Sequence, residues 1–197
     1  MSLFQVHLKK RDPSLADRIE RIAEVIGRLG PASRKSAVKE LEGLLQNPET
    51  RRLASGIAAK AEISTFSNEI YGFLKAPNLV AGDYNAYILA LGLMEHKPAA
   101  DYIAQNFLKG NTRAAATFAL AMISPEQSEE AFKQYATNEK LVEEGKLVAG
   151  LSVLEHYAKK GVSGVKNLLL YVPRDLLAGA GRYFKFPKEV NGIIRQA

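Results

Sequence analysis

The sequence predicts an all-α chain, folded as an α-α superhelix (a solenoid) of about six antiparallel helix pairs. Three observations predict it. A small residue recurs inside apolar, helix-forming stretches at Gly27, Ala59, Gly92, Ala121, Ser152 and Gly181, with gaps of 32, 33, 29, 31 and 29 residues. That is the period of a two-helix unit, which cannot bury its apolar face alone and stacks on its neighbours. Strand-type alternation is confined to Phe4, Val6 and Leu8. Proline punctuates the rest at Pro13, Pro31, Pro48, Pro98, Pro125, Pro173 and Pro187, where a first helical position tolerates it because that N–H has no intrahelical partner.

Taken in order, helices are expected near 13–29, 32–46, 48–61, 64–75, 83–95, 98–109, 112–123, 125–136, 139–159, 162–171, 173–184 and 187–196. The first has one apolar stripe (Leu15, Ile19, Ile22, Ile26, Leu29) and a polar face (Arg18, Glu20, Arg21, Glu24, Arg28), the composition of a capping unit. Segments 84–94 and 114–123 are apolar nearly all round and should be buried on several sides. Their partners are amphipathic: in 125–136, Ala131, Phe132 and Tyr135 face inward while Glu126, Glu129 and Glu130 face water. Ser124-Pro-Glu-Gln127 reads as a capping box at the start of that helix. One domain spans 13–197, preceded by an extension over 1–12 in which residues 1–3 read as a candidate tag remnant.

Composition narrows the compartment and the chemistry. Of 197 residues, 24% are charged and 47% hydrophobic, ordinary globular values that do not indicate disorder. Cysteine is absent, which removes disulfides, thiolate metal sites and cysteine nucleophiles together. No apolar run approaches a membrane span, and the start MSLFQVHLKKRDP has its basic residues after its apolar ones, the reverse of a secretory signal. A cytoplasmic protein without membrane association is expected. The net charge of +6 is split: residues 1–60 hold 12 Lys/Arg against 7 Asp/Glu, 61–140 hold 6 against 9, and 141–197 hold 9 against 5. A mildly basic surface at two ends is the plain reading, and an anionic partner is the functional one.

RAAATFALAMISPEQSEEAFKQYA (113–136) resembles the short HEAT-like repeat of phycobilisome-lyase-type proteins, through its Arg-Ala-Ala opening, Ala-Leu-small core, proline turn and amphipathic second helix. YILALGLMEHKPAADYIAQNFLKG (87–110) is similar through Ala90-Leu91-Gly92 and the turn at Pro98. The resemblance implies a HEAT-like solenoid. It says little of function, because repeat folds host many roles. HEAT-like alkylpurine DNA glycosylases use tryptophans and an aspartate in a basic groove, whereas this chain has no tryptophan and its middle is acidic.

No catalytic motif is present: no Gly-x-Ser-x-Gly elbow, phosphate loop or His-Glu-x-x-His. Gly179-Ala-Gly181 lies in a helical segment and reads as packing. Glu95-His96 and Glu155-His156 are expected at the ends of first helices, two repeats and about 20 Å apart, too far for one metal and suited to a cation at a helix C-terminus. No cofactor or metal is expected.

The leading expectation is a non-enzymatic scaffold or adaptor that binds a protein or peptide on the concave face lined by second helices. The surface positions are Lys39, Glu69, Gln105, Lys109, Lys133 and Lys166, with Tyr102 and Tyr135 as anchors if their rings are exposed. The alternative is nucleic-acid binding by the basic ends, using Arg34, Lys35, Arg182, Lys185 and Lys188. There, Arg182-Tyr-Phe-Lys-Phe-Pro-Lys188 interleaves cations for phosphates with rings for bases. The same rings are natural core closers for a last unit. An enzyme, a lyase or a base-removing activity, is the third and weakest class.

Overall fold

The computed structural model describes residues 13–77, 79 and 81–196, and side chains from residue 17 onward except that of residue 81. The extension over 1–12, with the alternation at Phe4, Val6 and Leu8, and the Leu15 side chain lie outside the described residues. Among the described residues there are eleven α-helices and no strand. They are α1 (Pro13–Arg28), α2 (Pro31–Gln46), α3 (Arg51–Lys60), α4 (Ser67–Leu74), α5 (Ala81–Leu93), α6 (Ala100–Phe107), α7 (Arg113–Ile123), α8 (Pro125–Thr137), α9 (Val142–Leu168), α10 (Arg174–Ala180) and α11 (Lys188–Gln196). Single 3-10 turns, Ser64–Phe66, Lys97–Ala99 and Gly110–Thr112, lead into α4, α6 and α7. Prolines open α1, α2 and α8 as expected. Pro48 and Pro187 precede their helices instead, Pro98 sits in a 3-10 turn and Pro173 is an N-cap. The two helices expected over 139–159 and 162–171 are both present within the span α9, separated by a kink where Gly161 takes φ 61°, ψ −153°.

The contacts cluster into two compact units, Met1–Ala99 and Ala100–Ala197. In the first, α3 is flanked by α1 and α5, α2 covers α3, and α4 packs on α5. In the second, α7 and α9 lie side by side with α8 against both, α6 packs on α7, and α10 and α11 close on α9. The inner helices are those without a polar face. Ala54–Ala59 of α3, Ala86–Leu93 of α5 and Ala114–Ile123 of α7 are buried without interruption. In α8 the amphipathic reading also holds: Ser128, Ala131, Phe132 and Tyr135 are buried.

The thirty-residue beat is a packing signal at four of its six positions. Ala59, Gly92, Ala121 and Ser152 are buried, whereas Gly27 and Gly181 are exposed. A Cβ on Gly27 would meet nothing within 4 Å, so the beat does not mark a close approach there. The approaches that do need glycine are off the beat. A Cβ on Gly145 would lie 2.5 Å from Tyr135 Cβ, and one on Gly150 would lie 2.4 Å from the Phe184 ring.

Three further expectations are corrected. The apolar stripe of α1 is only partly covered: Ile19, Ala23 and Ile26 are buried, but Ile22 is 37% and the neighbouring Val25 59% exposed. With α3 as its main neighbour, α1 buries a narrow seam at i, i+4 and i+7. Ser124 and Gln127 do not form a capping box. Ser124 Oγ donates to Glu126 Oε1 at 2.5 Å, and Gln127 Nε2 reaches back to Asp101 Oδ1 at 2.8 Å, tying α8 to α6. The histidines lie near the ends of helical segments, but they are buried and not in polar turns. His156 is 1% exposed inside α9, and its Nε2 donates to the Ala121 carbonyl at 2.9 Å. His96 follows α5, is buried beside Tyr71 with ring centroids 5.4 Å apart, and burial lowers its pKa, favouring the neutral ring.

Candidate functional site

The surface that gathers chemistry in the second unit lies where the segment after α10 folds over the first turns of α9. Helix α10 ends at Ala180, and the Tyr183 and Phe184 N–H groups donate back to the Ala180 carbonyl at 2.9 and 3.1 Å. That turn drives Phe184 down onto Gly150 and leaves Tyr183 outside, 48% exposed. Phe186 is buried, its centroid 6.3 Å from that of Phe184, and its carbonyl accepts from Asn191 Nδ2 at 2.9 Å. Of the three rings in the segment, Phe186 is buried, Phe184 is half-buried against Gly150, and Tyr183 is presented to solvent.

The presented ring is held. Tyr183 Oη donates to the Glu143 carboxylate, which also accepts from Lys146 Nζ at 2.5 Å. The ammonium of Lys146, then the Tyr183 hydroxyl and the nearby Arg182 charge, hold Glu143 below the usual carboxylate range. The same hydrogen bond pushes the Tyr183 phenol up. The stem of Lys146 fills the space above Gly179, where a Cβ would meet Lys146 Cε at 2.5 Å. This gives Gly179 the packing role expected of it. In the same segment of the chain, Arg182, Lys185 and Lys188 are all exposed. Among the described residues, Lys185 and Lys188 have no ion-pair partner.

The remaining expected surface positions are distributed along the flanking helices. Lys35 and Lys39 are exposed one turn apart on α2, as are Gln105 on α6, Lys109 just beyond it, Lys133 on α8 and Lys166 on α9. Lys133 pairs with Glu129 at 2.7 Å, which raises its pKa. Glu69 is half-buried and accepts from Gln46 Nε2 at 2.5 Å, so it serves to join α4 to α2. Tyr102 is half-buried, edge-on to Phe107 at 5.8 Å. Tyr135 is no anchor: it is fully buried, and its phenol is pushed up by burial and by Glu144, against the opposing pull of Thr117 and Arg113. Its position three and four residues after Phe132 and Ala131 puts it on the inward stripe, and Gly145 is the gap it fills. Arg34 belongs to the first unit and does not stand beside Lys35 as a free cation. Its Nη2 donates to the Ala61 carbonyl at 2.9 Å.

Arg34 lines a cleft of about 450 Å³ with Glu20, Glu24, Lys60 and Glu62. Lys60 lies 3.6 Å from Glu20, and Glu24 pairs with Arg28, so most of its charge is internally matched. A shallower hollow of about 640 Å³ in the second unit is bordered by Arg113, Thr137 and Lys140. Among the described residues no group of three or more His, Asp or Glu is placed to hold a metal ion, and no helix is long and apolar enough to cross a membrane.

A signal that the sequence reading missed is the Thr-Arg pair opening α3 and α7. Thr50 Oγ1 donates to the Leu44 carbonyl at 2.7 Å, and Arg51 Nε to that of Leu45 at 2.9 Å. Thr112 Oγ1 donates likewise to Phe107 at 2.8 Å, and Arg113 Nε to Leu108 at 3.5 Å. Each pair satisfies the orphan carbonyls at the end of the preceding helix. Compared with protein-family models, curated proteins and solved structures, the chain matches none of them.

Proposed function

We propose that this chain is a HEAT-like α-solenoid module, non-enzymatic, that binds a protein partner through the outer faces of its flanking helices and the segment after α10. The observation that carries this reading is the division of labour between helices. The inner helices α3, α5 and α7 spend their side chains on packing, while exposed cations and amides stand at Lys39, Gln105, Lys109, Lys133 and Lys166. The repeat reading is supported by turns that recur at one period. Ala61-Glu62-Ile63 and Met94-Glu95-His96 close α3 and α5 in the same way, with Glu62 and Glu95 at φ 56° and 51°. Ile63 N–H donates to Ala58 O at 2.8 Å, and His96 N–H to Leu91 O at 3.0 Å, the six-to-one bond of a Schellman cap. The Thr-Arg openings of α3 and α7 are a second recurring device.

The test is affinity capture from the source cell extract with the full chain and with a Lys39→Glu, Lys133→Glu, Lys166→Glu variant. The reading expects a protein retained by the wild type and lost or reduced with the variant at unchanged helix content. Retention of no protein at physiological salt overturns it.

A further inference from the structure

We infer that the segment Arg182–Lys188 of the second unit recognises an acidic, carboxylate-rich segment of a protein partner, an inference that rests on the binding-module reading above. The chain displays the chemistry on itself. Glu143 brings a carboxylate onto the Tyr183 hydroxyl and the Lys146 ammonium, close enough to Arg182 for that charge to act on it. This surface is therefore built to accept carboxylates. Both Glu143 oxygens are taken, one by Tyr183 and one by Lys146, whereas Lys185 and Lys188 stay exposed without an ion pair among the described residues. Glu189 is the one exposed carboxylate beside them in sequence, so the stretch keeps a net positive charge. A charge-complementary partner gains both attraction and encounter rate.

The ring decides between acidic protein and nucleic acid. With its hydroxyl committed to Glu143, Tyr183 offers a face whose rotamer is fixed before binding, which lowers the ordering cost of an apolar contact. A single strand needs successive platforms for successive bases. Phe186 is buried and Phe184 is half-buried against Gly150, leaving Tyr183 as the one exposed platform where the sequence suggested three. One apolar contact flanked by separate cations suits a peptide in which acidic residues bracket a leucine or aromatic side chain.

The experiment uses the full chain and three fluorescent probes: a synthetic peptide repeating Glu-Glu-Leu, the same peptide with Lys for Glu, and a ten-nucleotide thymidine strand. Anisotropy titrations should show binding of the acidic peptide alone, weakened about tenfold between 0.05 and 0.5 M salt as screening shortens. The R182E/K185E/K188E variant should lose at least about tenfold in affinity, and Tyr183→Ala about threefold, while Tyr183→Phe keeps most of it. If the triple variant loses helix content by circular dichroism, Lys185→Glu and Lys188→Glu singly carry the test, with losses of about threefold each expected. The inference is overturned if the acidic peptide does not bind, if charge reversal leaves its affinity unchanged, or if the thymidine strand binds more tightly. A partner captured from extract whose binding ignores residues 182–188 would sink this inference alone. Capture of no partner would sink the module reading beneath it.

Discussion

Glu62 and Glu95 occupy a backbone conformation that glycine adopts freely and other residues adopt at a cost of roughly 1–2 kcal/mol. Both sit at φ near +50°, at 56° and 51°, two residues beyond the end of a helix. Replacing Glu62 by glycine should stabilise the first unit by about 0.5–1 kcal/mol in urea unfolding, the relieved strain outweighing the added freedom of the unfolded chain. A loss of stability would show that the carboxylate contributes more than the strain removes. His96 makes a second residue-scale prediction. Burial lowers its pKa below the ordinary 6.5, so just below pH 6.5 the unfolded chain binds more protons than the native one. Stability is then full above pH 6.5 and falls as the pH drops toward the native pKa. Thermal melts between pH 7.5 and 5 should show this fall for the wild type and a weaker one for His96→Phe, which keeps a ring against Tyr71. Equal slopes would place the acid sensitivity elsewhere.

At the scale of elements, the chain discloses its buried helices well and its close approaches poorly. Segments 84–94 and 114–123 are legible because an uninterrupted apolar surface has no solvent side, and the structure buries Ala86–Leu93 and Ala114–Ile123 accordingly. Helix starts are legible at Pro13, Pro31 and Pro125, where proline fits the first turn. The glycines that matter are not legible. Gly145 and Gly150 are required by Tyr135 and Phe184, partners 10 and 34 residues away along the chain, and no local pattern reports them. Gly145→Ala and Gly150→Ala should each destabilise the second unit by about 1–3 kcal/mol, because a backbone or a packed ring must shift. Gly43→Ala in α2, where nothing lies within 4 Å of the added carbon, should instead stabilise by about 0.5–1 kcal/mol through helix propensity. Chemical denaturation of the three variants checks the contrast. An opposite order would mean that the helices shift apart more readily than their packing implies.

For the whole molecule, the sequence reads exposure well for its cations, Arg34 excepted, and less well for its rings. Charged groups remain in water for reasons that any helix position reports, as at Lys35, Lys39 and Lys188. Tyrosine is amphipathic, so spacing alone leaves open which end governs. Tyr135 follows its stripe into the core, whereas Tyr183 is turned out by the bend after Ala180. The binding surface proposed after α10 depends on that bend and on Glu143, forty residues earlier, a juxtaposition that only the fold supplies. The account's central claim, that this is a module whose outer faces bind a protein, is tested most directly by hydrogen exchange on the full chain with and without its captured partner. The account predicts slowed exchange over residues 182–188 and the outer turns of α2, α8 and α9, with the buried α5 and α7 unchanged. Exchange that stays the same on all of these surfaces in the presence of the partner would contradict it.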